Sequence, residues 1–146
     1  AAEMREKALS NLRSPAFDAK HFSGRVLRRI SVALGEDPGP VERDRLTIEH
    51  ILPRAFAPRS GWRTHFPSPR AVKQYAHRLG NLAFLSPAEN QKADTLDWNE
   101  KRPILARSQF LLSRRLAEAE MWTPAEIYGR TEELIGILFK AWEIKF

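Results

Sequence analysis

The sequence predicts an α+β domain, mostly helical with one small two-stranded element. Three observations lead there. Apolar residues recur at helical spacing over 16–34 and along the stretch after Pro124. Two helix starts are written out in full: Ser86-Pro87 followed by Glu89, and Thr123-Pro124 followed by Glu126. Strand-like sequence is confined to residues 46–51 and the apolar run Leu82-Ala83-Phe84-Leu85.

In chain order, residues 2–13 read as a helix. Residues 16–34 read as a second, with Phe17, Leu27, Ile30 and Leu34 as core candidates. Gly and Pro make Gly35-Glu36-Asp37-Pro38-Gly39-Pro40 a loop. A strand over 46–51 runs into residues 53–67, whose three prolines and one glycine predict a long loop. Loops of that length in a compact domain usually carry function. Residues 69–78 form a short helix with Val72, Tyr75 and Leu79 turned inward. The second strand leads straight into the helix capped by Ser86. Residues 99–119 are expected to be helical, with Pro103 as a start or a kink. The closing helix places Ile127, Thr131, Leu134, Ile135, Leu138 and Trp142 on one face. A lone hairpin of this size is marginal, so the helices must hold it.

The chain has 146 residues, enough for a single domain with a real core, and carries a net charge of +6. It contains no cysteine, which excludes disulfides and thiolate zinc sites and fits a cytoplasmic protein. No apolar stretch is long enough to span a bilayer, so no membrane partner is expected. The chain starts at Ala1 and enters helical sequence at once, so it reads as a piece of a longer protein. Its pI near 10.1 suits a polyanionic partner. The charge is concentrated: Arg43, Arg45, Arg54, Arg59, Arg63, Arg70, Lys73 and Arg78 are opposed between Arg43 and Leu79 only by Asp44 and Glu49. Together they read as a phosphate-binding surface, although each alone reads equally well as a solvated cation.

Four short pieces form a chemical constellation: Ile48-Glu49-His50-Ile51-Leu52-Pro53, Leu79-Gly80-Asn81-Leu82, Ser86-Pro87-Ala88-Glu89-Asn90, and Lys92. Hydrolysis of a phosphodiester requires a base for water and positive charge on the phosphate and leaving oxygen. His50 has the right intrinsic pKa for the first. A divalent cation supplies the second. Glu49 and the amide oxygen of Asn90 are candidate ligands, and an oxygen pair favours Mg²⁺ or Mn²⁺ over Zn²⁺. Neighbouring strand residues face opposite ways, so Glu49 and His50 can share a phosphate only if the strand ends there; Pro53 favours an ending. Asn81 is expected to brace the loop and fix His50. Each piece alone has a plainer reading: a core histidine, a turn, a solvent-facing amide. Their joint order is what carries weight.

These residues resemble the HNH, or His-Me finger, nuclease motif. More narrowly, the chain resembles the C-terminal nuclease domains of bacterial phage-defence proteins of the GmrSD and SspE kind, over roughly residues 20–142. Glu100-Lys101-Arg102, Trp122 and Arg130 extend the match. The resemblance implies a ββα-metal core with surrounding helices. N-terminal helices would occupy 1–36, the ββα-metal core 44–95 and C-terminal helices 99–146 of a single domain. It implies His50 as general base, Glu49 and Asn90 on one metal ion, and Asn81 in a structural role. It also implies DNA as substrate, and a nucleotide-hydrolysing, modification-sensing N-terminal domain in the same bacterial protein.

The expectation is therefore a metal-dependent DNA endonuclease. The alternatives are an RNA-cutting or non-specific nuclease, and a degenerate module that only binds DNA. Arg54, Arg59, Arg63, Lys92, Lys101 and Arg102 are the candidate nucleic-acid contacts. His21, His65 and His77 lack a motif, and Trp62, Trp98, Trp122 and Trp142 read as packing residues, with Trp62 the one that also suits base stacking.

Overall fold

A computed structural model describes residues 2–19, 23–36 and 46–142. His21, Arg43, Asp44, Arg45 and most of the loop after Glu36 lie outside them. Among the described residues are seven α-helices and one antiparallel pair of strands. The helices are α1 (Ala2–Leu12), α2 (Ser23–Ala33), α3 (Pro69–Tyr75), α4 (Pro87–Ala93), α5 (Trp98–Ala106), α6 (Leu111–Leu116) and α7 (Pro124–Trp142); the strands are β1 (Thr47–His50) and β2 (Leu82–Leu85). Short 3-10 turns lie at Phe17–Ala19, Gly61–Thr64 and Leu79–Asn81.

Two helical expectations are corrected. Residues 16–34 do not form one helix. The Ser14 hydroxyl accepts from Ala16 N at 3.1 Å, and Asp18 N donates to the distant His77 carbonyl at 3.1 Å. A long-range bond thus replaces helix at Phe17–Ala19. Residues 99–119 divide into α5 and α6. Ser108 Oγ accepts from Phe110 N at 3.2 Å, offering the backbone a non-helical partner. Phe110 is then buried against Phe84, with ring centroids 6.2 Å apart. Pro103 lies inside α5 and does not start it.

The strands pair Thr47 with Leu85, Ile48 with Phe84, Glu49 with Ala83, and His50 with Leu82. Alternation sends the two sets of side chains to opposite faces. Ile48, Leu82 and Phe84 join a core built with Phe17, Leu27, Ile30, Leu134 and Leu138. Ala83 and Leu85 join a second core with Trp62, Phe66, Trp98 and Trp122. All four residues of β2 are buried, which explains its unbroken apolar run. Its far edge is covered, because the Ser113 hydroxyl donates to the Phe84 carbonyl.

Helix α4 follows β2 with only its cap, Ser86, between them. Ser86 Oγ accepts from Glu89 N at 3.1 Å, and Glu89 Oε1 accepts from Ser86 N at 2.9 Å, completing the box. At α7 the box is closed differently: both the amide and the hydroxyl of Thr123 donate to Glu126 Oε1. The turn at Leu79–Asn81 lies hard against α7. A Cβ on Gly80 would sit 2.1 Å from the Ile127 carbonyl oxygen and 2.8 Å from Thr131 N, so only glycine fits. Gly80 N donates to Thr131 Oγ1 at 2.9 Å, which places Asn81 at a fixed height on the helix.

Candidate active site

The strand ends at His50, and the chain bends from Ile51 onward. That ending lets Glu49 and His50 border one open cleft of about 530 Å³, together with Pro53, Arg54, Asn90 and Asp94. The cleft wraps around the end of β1 and collects different chemistry from each face of the strand.

On the face toward α4 and α5 lie Thr47, Glu49, Asn90 and Lys101. Asn90 Nδ2 donates to Thr47 Oγ1 at 2.8 Å, and Thr47 Oγ1 donates to the Leu85 carbonyl at 2.9 Å. The amide is thereby oriented, and its Oδ1 has no protein partner among the described residues. Glu49 is only 5% exposed, and its Oε1 lies 3.3 Å from Lys101 Nζ. Burial raises the Glu49 pKa, opposed by the Lys101 charge. Burial likewise lowers the Lys101 pKa, opposed by Glu49.

Lys101 corrects an expectation. The sequence offers Lys101 as a candidate nucleic-acid contact, with a solvated helix face as the alternative, yet the side chain is fully buried. Its ammonium donates to the Ile51 carbonyl at 2.8 Å and to the His50 carbonyl at 3.3 Å. It holds the bend that ends the strand and cannot reach a phosphate. Arg102 is half-buried, and its Nε donates to the Ala117 carbonyl at 2.7 Å. Arg54, Arg59, Arg63 and Lys92 are exposed. Arg78 leaves the expected basic surface: it is buried, donating to the Gln74 and Arg13 carbonyls with its guanidinium over the Tyr128 ring.

On the other face, His50 Nε2 bonds Asp18 Oδ2, and His77 Nδ1 lies 2.8 Å from Asp18 Oδ1. The two imidazoles meet edge to face with centroids 5.5 Å apart. All three side chains are part-buried and could together hold a metal ion. An ionised carboxylate only accepts, so Asp18 favours the His50 tautomer with its proton on Nε2 and a basic Nδ1. Burial lowers the His50 pKa, opposed by hydrogen bonding and charge from Asp18. Sequence reasoning misses Asp18 and gives His77 no role. Neither belongs to a local motif; the buried Phe17 and the Asp18 N bond to His77 O bring them in.

Asn81 is wholly buried and uses its full hydrogen-bonding capacity. Oδ1 accepts from Leu52 N at 2.8 Å and Trp122 Nε1 at 3.0 Å; Nδ2 donates to the Leu52 and Ala76 carbonyls at 3.0 and 2.9 Å. No group remains to touch a metal or substrate. Arg130 Nη1 donates to the carbonyls of Gly80 at 2.9 Å and Leu82 at 2.6 Å, on either side of Asn81. Trp62 is core, not a base platform: it is 3% exposed, and its Nε1 donates to the Leu96 carbonyl at 2.9 Å.

No curated protein and no solved structure matches the chain. The family model described as GmrSD restriction endonucleases, C-terminal domain, matches residues 4–137. That span contains β1, β2, α4, Lys101, Trp122 and Arg130, and no helix among the described residues is long and apolar enough to cross a membrane. The chain belongs to the family of C-terminal domains of GmrSD restriction endonucleases, which points to a nuclease.

Proposed function

We propose that this domain is a metal-dependent DNA endonuclease of the HNH type, serving restriction or phage defence. The observation that carries the reading is the cleft at the end of β1, where an imidazole, a carboxylate and an oriented amide meet beside exposed Arg54. His50 takes the proton of the attacking water on Nδ1. Asp18 holds the ring through Nε2 and stabilises the imidazolium that forms. Asn81 positions the Leu52 backbone two residues beyond His50. Exposed Arg54, Arg59, Arg63 and Lys92 engage phosphates, and half-buried Arg102, tied to the Ala117 carbonyl, is a weaker candidate.

The oxygens on the α4 side suit a hard divalent cation. Asn90 has an open amide oxygen, Glu49 has a second carboxylate oxygen beside the one that meets Lys101, and Asp94 borders the same cleft. Glu49 and Asn90 would hold Mg²⁺ or Mn²⁺, which supplies charge neutralisation at the phosphate and at the leaving oxygen. A nucleotide-hydrolysing N-terminal domain of the same protein would act as regulator; the family description as a C-terminal domain is compatible with such a partner.

One observation favours a second reading of the metal. Asp18, His50 and His77 offer ligand atoms within 4.8 Å of one another, a nitrogen-rich set that suits a softer ion. In that case His50 is a ligand and not the base. Varying Mg²⁺, Mn²⁺ and Zn²⁺ over matched DNA and RNA substrates separates the possibilities. The proposal expects DNA cleavage with Mg²⁺ or Mn²⁺, abolished by EDTA, and His77→Ala with an unchanged metal requirement. Cleavage that survives EDTA removes the metal mechanism. RNA-only cleavage removes the substrate, and a raised metal requirement in His77→Ala transfers the metal to the triad.

A further inference from the structure

A second open cleft, of about 550 Å³, lies between the long loop after Pro53 and α3, and shares Arg54 and Ala55 with the first. Its chemistry is divided. Arg54, Arg63 and Lys73 line it, and no carboxylate does. Phe56, Phe66 and Val72 give it an apolar floor, with Phe66 and Val72 buried and Phe56 half-buried against the core. The walls are preformed. Arg63 Nη1 donates to the Pro58 carbonyl at 3.1 Å, and Ser60 Oγ and Gly61 N both donate to Asp97 Oδ1 at 3.0 and 3.1 Å. Trp62 Nε1 ties the same loop to Leu96.

We infer that this cleft receives the unpaired nucleotide next to the scissile phosphate, its base on the Phe56 floor and its phosphate among Arg54, Arg63 and Lys73. The inference rests on the proposed nuclease reading and adds to it which part of the substrate the loop holds. A nucleotide unites a flat apolar face with an anionic group, and the cleft joins an aromatic floor to a rim of cations. Continuity through Arg54 places one phosphate at the junction of the two clefts. A base paired within a duplex stays in its stack, so occupancy requires a single strand or a base swung out of the helix. The long loop thus becomes a device for gripping a strand beside the point of cleavage.

The test is a base-removal walk. Single-stranded DNA oligonucleotides, each with one abasic position, are bound to the full chain carrying His50→Ala. The same series is repeated with Phe56→Ala added, and with Lys73→Glu added. Cleavage of the unmodified oligonucleotide by the wild-type chain locates the scissile bond. The expected result is a loss of affinity of about 5-fold or more at one position flanking that bond. The loss disappears in the Phe56→Ala background, as a direct coupling requires. Lys73→Glu, at an exposed position, weakens binding of every oligonucleotide alike and flattens the salt dependence. The inference is overturned by an abasic penalty at no position, by a penalty that persists in Phe56→Ala, or by a Lys73→Glu chain with unaltered salt dependence. If the wild-type chain cuts no DNA but the coupling at Phe56 is present, the nuclease reading falls and with it the placement beside a scissile bond, while the cleft stands as a nucleotide site. If it cuts and the coupling is absent, the nuclease stands and the cleft falls.

Discussion

Asn81 and Asn90 come from the same short stretch of chain and carry the same amide, yet they sit in opposite circumstances. Asn81 has no exposed surface, and four protein groups saturate it. Asn90 is half-buried at the cleft, with its nitrogen committed to Thr47 and its oxygen open. The difference lies in what surrounds them. Asn81 is enclosed by Trp122 and by a turn that Gly80 presses against α7, with Arg130 clamping the carbonyls on either side. Asn90 stands near the start of a well-capped helix at the rim. One amide builds the site, and the other is available to work in it. Lys101, Trp122 and Arg130 belong with the first, since each holds backbone or side chain close to His50 without reaching the cleft as a reactive group.

The two amides should differ most in stability. Asn81→Ala leaves Leu52 N, Trp122 Nε1 and two carbonyls without partners in the core. At ~1–3 kcal/mol for each stranded group, a loss of at least ~3 kcal/mol is expected in urea denaturation. Asn90→Ala abandons one bond at a wetter position and should lose no more than about 1 kcal/mol. Equal losses would mean that the two amides are not functionally divided. A smaller but separate effect concerns the metal. Asn90→Ala should raise the Mg²⁺ or Mn²⁺ concentration for half-maximal cleavage, while maximal cleavage at saturating metal changes less. Glu49→Gln should raise it as well if the Glu49 carboxylate holds the ion. An unshifted titration for both variants removes the oxygen site.

Much of the site is legible in the sequence. The two strands, the cap of α4 and the order Glu49-His50, Asn81, Asn90 are local patterns, and local patterns survive in a sequence. The sequence also expects Asn81 to brace the loop, and its amide is enclosed by bonds to Leu52, Ala76 and Trp122. Asp18 and His77 are invisible there because their meeting depends on a turn at Phe17–Ala19 that is tied to the His77 backbone across the domain. Lys101 misleads for a related reason. A lysine in a charged run reads as solvated, and only the carbonyls exposed by the bend at Ile51 explain its burial. The break between α5 and α6 likewise turns on a serine side chain competing with helix.

A finer effect sharpens the contrast between the enclosed and open sides of β1. Burial lowers the His50 pKa from 6.5, with Asp18 opposing. The ring therefore stays neutral to a lower pH than a free histidine. The acid limb of cleavage should fall below pH 6.5, and the stability contributed by neutral His50 should be present above 6.5 and lost as pH falls through its folded value. A limb at or above 6.5 would show that the hydrogen bond to Asp18 outweighs burial. The smallest effect is in salt. Replacing Arg54, Arg59 and Arg63 together should flatten log K against log salt by about 0.9 for each phosphate that the loop no longer neutralises. An unchanged slope would mean that the loop arginines are merely solvated.

The proposed role of His50 is that of the base in a cleavage reaction carried out at the end of β1. It is tested most directly by single-turnover cleavage of plasmid DNA at saturating Mg²⁺ or Mn²⁺, comparing the wild-type chain with His50→Ala after both are shown to fold and to bind DNA alike. His50→Ala should lower the rate by at least ~10²-fold, the loss typical of a missing general base. Cleavage at the wild-type rate by His50→Ala would contradict it.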